Sequence, residues 1–414
     1  MQSSDPRHFF ETDATQAKRE RKVAKSNNKY GNPIALKSKL LAAVLDPTSP
    51  ATVFVAESAG SVRRVNLDVG STALIPTGSA ILTSLPQDGS VKSVYKGPTA
   101  PVTCVAVGGE GNKTVFAGSW DRNISSWNIE TKVPVRQYTG HSDFVKSIVC
   151  TRISGKEILI SGGADKKIIV WDISTGVRLH TLQDNTQNML AIQDLAVDPV
   201  QSTPDEAFLV SASSDPHIRR WKVRLDGWEQ VVDPSSEARA EERRTILEHE
   251  TTVYKLVFDY EGDEVDLWTS SADGTSKCLT RMSGFASDDE FKHGDHVRAV
   301  AVTDQWVITA GRDENLKLWD RASGRLYCSL EGHYDEVTSL VVLRGPNKGL
   351  DRLCSTSLDG TIRLWSLAKP DVDAMVKEQQ QPKNLEEQDE KKEGMEGMLT
   401  AEEEAELAAL MDED

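Results

Sequence analysis

The side chains best suited to chemistry occur as three sets of His, Ser or Thr, and Asp, each completed by a Trp. The sets are His141, Ser161, Asp165 and Trp171; His293, Thr309, Asp313 and Trp319; and His333, Ser355, Asp359 and Trp365. A Ser–His–Asp combination supplies the nucleophile, base and orienting acid of a hydrolase. A hydrolase needs one such set, with an exposed nucleophile and an oxyanion hole. Repetition at similar spacing favours a structural role, so we predict no catalytic residues.

The repetition extends to the segments that must position these residues. Five of the nine tryptophans follow an Asp by six positions, and each closes a short β-rich run. These Trp residues are Trp127, Trp171, Trp221, Trp319 and Trp365. A sixth unit has Asp273 with Leu279 in the Trp position, and other units depart elsewhere, as with Asn188 in the His position. Short strands separated by Gly, Asp, Asn and Ser predict an all-β repeat protein.

The units resemble the WD repeats of β-propellers. Gly140-His141 and Gly332-His333, with Trp171-Asp172 and Trp319-Asp320, are similar to the Gly-His…Trp-Asp signature of that family. Counting a degenerate unit at 40–67, the resemblance implies seven blades over residues 40–366 and a buried hydrogen-bonded network in each complete set. Residues 1–39 are expected to form a flexible basic arm that supplies the closing strand near 32–36. Residues 367–414 are expected to form a disordered acidic tail.

The same resemblance implies a partner-binding rim at one end of the ring. We use "the rim" for the residues at these positions: Trp120, Phe144, Lys146, Gln193, Tyr254, His296, Arg298, Arg312 and Glu336. Aromatic and Arg side chains dominate the binding energy of many interfaces. Trp120 and Trp306 lie outside the repeated Trp position, so packing of the repeat does not explain them.

Charge is unevenly distributed along the chain. The net charge is −16, but residues 1–39 carry +5 and residues 371–414 carry −12. Near the end, a capping box from Thr400 to Glu403 precedes Leu407, Leu410 and Met411 at helical spacing, which predicts a short helix that docks on a partner. The basic cluster at 18–25 is similar to a nuclear-import signal.

Several classes of protein are disfavoured. No apolar run reaches the roughly 18 residues of a membrane span, and the five cysteines contain no C-x-x-C pair. We find no phosphate-binding loop or metal-ligand cluster and predict no metal and no cofactor. The acidic composition disfavours direct nucleic-acid binding. An intracellular, reduced location is expected.

These observations predict a non-catalytic protein-interaction scaffold rather than an enzyme. The acidic tail and basic arm favour a nuclear or nucleolar assembly factor, active in ribosome biogenesis or as a chaperone of a basic client protein. The propeller is expected to be a monomer within a multi-subunit complex. Two alternatives stay open: a substrate receptor of a cullin-type ubiquitin ligase, or a non-catalytic subunit of a chromatin- or RNA-modifying complex.

Overall fold

Seven antiparallel sheets form the architecture, as seen in a computed structural model. The structure describes residues 20–68 except 21, 24 and 27, and residues 91–184, 188–232, 245–259, 265–345 and 350–380. Each sheet is one blade of a β-propeller, with its strands ordered from the channel outward. The predicted all-β, seven-bladed propeller is confirmed. None of the helices in the described ranges is long and apolar enough to cross a membrane.

The strands follow one another blade by blade, after a first strand that belongs to the last blade. That first strand is β1 (Ile34–Ala35). Blade 1 holds β2 (Leu40–Leu45), β3 (Thr52–Glu57), β4 (Ser61–Asn66) and β5 (Val91–Lys96). Blade 2 holds β6 (Val102–Gly108), β7 (Thr114–Ser119), β8 (Asn123–Asn128) and β9 (Pro134–Thr139). Blade 3 holds β10 (Val145–Ile153), β11 (Lys156–Gly163), β12 (Ile168–Asp172) and β13 (Arg178–Leu182).

The remaining blades continue this order. Blade 4 holds β14 (Ile192–Val197), β15 (Ala207–Ser213), β16 (Ile218–Val223), β17 (Trp228–Gln230) and β18 (Thr245–Ile246), with β17 and β18 both paired to β16. Blade 5 holds β19 (Val253–Phe258), β20 (Leu267–Ser271), β21 (Thr275–Thr280) and β22 (Ala286–Lys292). Blade 6 holds β23 (Val297–Val302), β24 (Trp306–Gly311), β25 (Leu316–Asp320) and β26 (Leu326–Leu330). Blade 7 holds β27 (Val337–Leu343), β28 (Arg352–Ser357) and β29 (Thr361–Ser366).

The core lies between neighbouring blades. Ile160 and Ile168 of blade 3 pack with Leu195 and Trp221 of blade 4, and all four are buried. The second strand of each blade is buried along nearly its whole length, as in β24, because both of its faces meet other sheets. Each sheet therefore depends on its two neighbours to bury its apolar surface.

One face of the ring carries two kinds of loop in every blade. The loop before the inner strand is hydrogen-bonded to the turn between the second and third strands, as when Ala164 N donates to Phe144 O and Leu358 N donates to Glu336 O. We call this the rim face, because the rim residues lie on these loops or in the first residues of the inner strands that follow them. The third strand of each blade runs away from it.

The ring is closed by the N-terminal segment. Strand β1 pairs with β29 in antiparallel register, with Ile34 opposite Ile362 and Ala35 opposite Thr361. This is the segment from which the closing strand was expected. The pairing removes the open edge of blade 7 and gives it a fourth strand.

Residues before β1 extend across the rim face of blades 6 and 7. Asn28 donates to Gly332 O at 2.7 Å and accepts from the buried Arg363 guanidinium at 2.7 Å. Lys22 pairs with Asp335 at 2.6 Å and Lys25 with Glu314 at 3.4 Å. The described part of the arm is thus held on the propeller.

The chain continues beyond blade 7 as a helix, α1 (Lys369–Gln380). This corrects the expectation that disorder begins at residue 367. Val372 is buried, and Met375 and Val376, three and four positions later, pack against the same core cluster as Tyr327. This apolar spacing stabilises a helix against the outer strand β26. Residues 381–414, with Leu407, Leu410 and Met411, lie outside the described residues.

Replacing Asn28 with Ala tests the arm. Arg363 would keep a buried charge with one fewer hydrogen bond, so we predict a loss of about 1–3 kcal/mol in the free energy of unfolding. Urea titration of N28A against wild type measures it. N188A is the matched control, because the Asn188 side chain is exposed. Equal losses in the two variants would mean that the Asn28 side chain contributes nothing to the stability of the closed ring.

Candidate functional site

The first complete set forms a hydrogen-bonded network inside blade 3. His141 Nδ1 lies 3.0 Å from Asp165 Oδ1, and His141 Nε2 lies 2.8 Å from Ser161 Oγ. Trp171 Nε1 donates to the same Ser161 Oγ at 2.9 Å. His141 comes from the loop before β10, Ser161 from β11, Asp165 from the following turn and Trp171 from β12. The network therefore ties all three inner strands together.

The other two sets repeat the network in blades 6 and 7. His333 bridges Asp359 at 2.9 Å and Ser355 at 2.7 Å, and Trp365 donates to Ser355 at 2.9 Å. In blade 6 the His293 ring has the opposite orientation, with Nδ1 on Thr309 and Nε2 on Asp313. Trp319 donates to Thr309 at 2.9 Å. The Ser and Thr hydroxyls are all fully buried, so no substrate reaches them.

Electrostatics hold the turn carboxylates in the ionised form. Burial by itself raises the pKa of Asp165, but the hydrogen bond and charge of His141 outweigh burial and lower the pKa below its usual value. The same balance lowers the pKa of Asp313 beside His293 and of Asp359 beside His333. Burial lowers the pKa of His333, with Asp359 opposing the shift. These shifts belong to a structural network.

In blade 4 a buried Arg takes the place of the network His in binding the turn Asp, which the sequence analysis missed. Asn188, in the His position, is exposed, while the buried Arg219 pairs with Asp215 at 3.0 Å and with Asp184 at 2.9 Å. A signal was present in the sequence, because a cation occupies the position two before the Trp or Leu in four units. These cations are Arg219, Lys277, Lys317 and Arg363. Each bonds a backbone carbonyl on or beside the loops of the rim face.

An exposed part of the rim is an aromatic pair from two blades. Trp120 follows β7 of blade 2 and Phe144 precedes β10 of blade 3, and their rings stack with centroids 5.1 Å apart at 17°. Trp120 is 46% exposed and Phe144 39%. Such stacking contributes about 0.5–1.5 kcal/mol beyond burial, which keeps the pair in one orientation. The pair therefore presents a preformed apolar surface.

Polar and charged rim residues continue around the channel mouth. Lys146 donates to Gln193 Oε1 at 2.9 Å, and Gln193 donates to Ser214 at 2.7 Å. Arg298 lies 4.2 Å from the centre of the Tyr254 ring and 2.9 Å from Glu336. Together with Trp120, these residues line one end of a central channel of about 610 Å³. Burial and the charge of Arg298 lower the pKa of Lys146, whereas Asp143 acts in the opposite sense.

His296 and Arg312 lie beside this mouth in blade 6. Arg312 N donates to His296 O at 3.0 Å, and the Arg312 side chain is exposed. A Cβ on Gly311 would lie 1.9 Å from His296 O, so only glycine lets the two loops approach. The structure thus places all nine rim residues on one face, in blades 2 to 7.

Trp306 differs from Trp120, because it is buried and is not part of the exposed rim. Its side chain is 1% exposed, its ring packs on Tyr327 and its Nε1 donates to Leu367 O at 2.8 Å. The indole therefore anchors the segment that leads into α1. Within the described ranges, no group of three or more His, Cys, Asp or Glu side chains is arranged to hold a metal ion.

Comparisons with known proteins give a consistent result. Residues 135–227 match the family described as the tRNA methyltransferase TRM82 WD40 domain. Residues 89–128, 289–320 and 324–366 match the WD domain, G-beta repeat family. An uncharacterized WD repeat-containing protein of Schizosaccharomyces pombe is 29% identical over 379 residues, covering 89% of this chain and 90% of its own length.

Two other relatives are aligned with this chain over a smaller part of their length. The nuclear distribution protein PAC1 of Arthroderma otae is 26% identical over 68% of this chain, which spans 53% of that protein. The mitochondrial division protein 1 of Vanderwaltozyma polyspora is 25% identical over 54% of this chain and 27% of its own length. The alignments with these two relatives thus cover about half or less of their length.

Replacing Ser161 with Ala separates a structural role from a catalytic one. Both His141 Nε2 and Trp171 Nε1 would lose a buried partner, so we predict a loss of about 1–3 kcal/mol in the free energy of unfolding. S142A is the control, because Ser142 is exposed on the adjoining loop and surface changes cost about 0.5 kcal/mol or less. Urea titration measures both. A loss in S161A no larger than in S142A would rule out the structural role.

The lowered pKa of His333 predicts a pH dependence. Below about pH 6.5, the usual His value, the unfolded chain binds a proton that the buried imidazole resists, so stability falls as pH falls. The lowered pKa values of the aspartates add a second decline below about pH 4. The urea midpoint should decrease from pH 7.5 to pH 5.5, and less steeply in H333Q. Identical slopes in the two chains would contradict this assignment.

Proposed function

The chain belongs to the WD-repeat β-propeller family, and we propose that it acts as a non-catalytic scaffold that binds a partner protein at its rim. The observation that carries the proposal is the exposed Trp120–Phe144 stack at the channel mouth. Large aromatic side chains, already held in place, lose little conformational entropy when a partner covers them. They are therefore efficient anchors for an interface.

The chemistry of the rim supports a partner segment with apolar and acidic side chains. Arg298 lies close enough to Lys146 for its charge to add to the lowering of the Lys146 pKa by burial. Arg312 is exposed on a nearby turn. Glu336 is already paired with Arg298. Apolar groups on the aromatic pair, with carboxylates on the neighbouring cations, would give the charge complementarity that fixes orientation at an interface.

The terminal segments support a nuclear or nucleolar location. We propose an assembly factor that acts in ribosome biogenesis or escorts a basic client, with the −12 segment at 371–414 attracting the client's Lys and Arg side chains. The propeller would act as one monomer within a larger complex. Direct nucleic-acid binding forms no part of the proposal.

A second candidate is a non-catalytic subunit of an RNA-modifying complex. The match to the TRM82 WD40 domain supports it, because the matched residues 135–227 include Phe144, Lys146 and Gln193. In this case the partner at the rim would be a catalytic methyltransferase subunit. The identity of the bound protein distinguishes the two candidates.

Charge reversal and truncation at the rim test the scaffold function. We predict that W120A and K146E each weaken partner binding by about 2 kcal/mol, or roughly 30-fold, as at interface hot spots. Tagged full-length proteins are purified from cells, and co-purifying proteins are quantified by mass spectrometry. M282A is the control, because Met282 is 79% exposed on the helical turn after β21, away from the rim face.

Loss of the same proteins from both rim variants, but not from M282A, supports the proposal. Enrichment of basic ribosomal or nucleolar proteins favours the assembly factor, and a methyltransferase subunit favours the second candidate. Unchanged recovery in both rim variants, with thermal unfolding as in wild type, would remove the rim from the function.

A further inference from the structure

We propose that the rim is covered by the C-terminal segment of its own chain, residues 399–414, until a partner displaces it. This deepens the proposed function, on which it rests, because it names an occupant that competes for the same surface. The apolar side chains Leu407, Leu410 and Met411 would lie on the Trp120–Phe144 stack. The surrounding carboxylates would face the rim cations.

The described chain ends beside the rim face. Gln379 forms two hydrogen bonds with the backbone of Glu331, accepting from its N–H at 3.0 Å and donating to its carbonyl at 2.9 Å. Glu331 begins the loop between β26 and β27, which lies on the rim face and reaches Glu336 five residues later. Helix α1 therefore ends at the face that carries the rim, rather than at the opposite face.

The described part of the arm pairs with acidic groups of the rim face. Lys22 and Lys25 neutralise two carboxylates of this face, Asp335 and Glu314. Lys146 donates a hydrogen bond to the uncharged amide of Gln193, and it lies close to the positive charge of Arg298. Arg122, Lys166 and Arg312 are exposed on the turns of blades 2, 3 and 6. The charged side chains that line the channel are three cations, Lys146, Lys255 and Arg298, against two carboxylates, Asp194 and Glu336, on a chain whose net charge is −16.

The C-terminal segment combines acidic and apolar side chains. Residues 381–414 contain 13 Asp and Glu against three Lys, a net charge of −10. Glu402, Glu403, Glu404 and Glu406 stand directly before the apolar residues of the segment. This sequence combines the two kinds of side chain that the rim is suited to bind, a patch of aliphatic groups bordered by carboxylates.

Chain length permits the contact. A linker of 18 residues, the number from 381 to 398, has a root-mean-square span of about 23 Å. A domain of the propeller's size has a radius of gyration of about 20 Å. The effective concentration of the segment at the rim is then on the order of 1 mM. A dissociation constant of about 0.25 mM would cover the rim roughly 80% of the time and weaken partner binding about fivefold.

Hydroxyl-radical footprinting of the intact chain tests the proposal without a partner. Wild type is compared with a full-length variant in which Glu402, Glu403, Glu404 and Glu406 are changed to Gln. We expect Trp120 to be oxidised about fivefold more slowly in wild type at low salt, from the occupancy above. The difference should vanish at about 0.5 M salt, where charges are screened within roughly 4 Å. Met282 should be oxidised equally in both chains.

Met411 supplies a reciprocal readout. Its oxidation should be slow in wild type and faster in a K146E/R312E variant, and reversing the charge of Glu403 and Glu406 to Lys in that variant should restore protection. Equal Trp120 oxidation in wild type and the Gln variant would overturn the proposal. Met411 protection that persists in K146E/R312E would overturn it too, because the segment would then bind elsewhere. In either case, binding of a partner to the rim would stand on its own test.

Discussion

Closure of the ring is the constraint on which the rest of the structure depends. Each sheet buries its apolar surface only against two neighbours, so the last blade needs a fourth strand and a covered edge. Two residues of β1 provide the strand, and Asn28 adds hydrogen bonds to the buried Arg363. The rim exists only in the closed ring, because its residues come from six of the seven blades.

The loops of the rim face carry both the His residues of the polar networks and residues of the rim. His141, His293 and His333 point into the blades and fix the loops to the strands, while neighbouring residues on those loops point outward. Rigid loops place Trp120 and Phe144 in contact across two blades. In the proposed function, the network of blade 3 contributes to recognition, because it fixes the loop that carries Phe144 before a partner arrives.

The repeats made the fold predictable from the sequence. Contacts that occur only once in the molecule could not be predicted from the repeat pattern. The Asp–Trp spacing marked five blades, the variant with Leu279 and the degenerate unit at 40–67 added two more, and the complete sets meet inside blades 3, 6 and 7. Arg219 was missed because its partner Asp184 lies outside the repeated pattern. Helix α1 was not predicted because it lies in an acidic segment that was expected to be disordered. Its helical state depends on the packing of Val372 against blade 6. Trp306 looked free because its acceptor, Leu367 O, lies 61 residues away in sequence.

We propose that recognition takes place on one face of the propeller, at the aromatic pair. The most direct measurement is photo-crosslinking in cells, with a benzophenone amino acid placed at position 144 in one chain and at position 282 in another. We predict a specific partner adduct from position 144 and none from position 282. An adduct from position 282, with none from position 144, would contradict it.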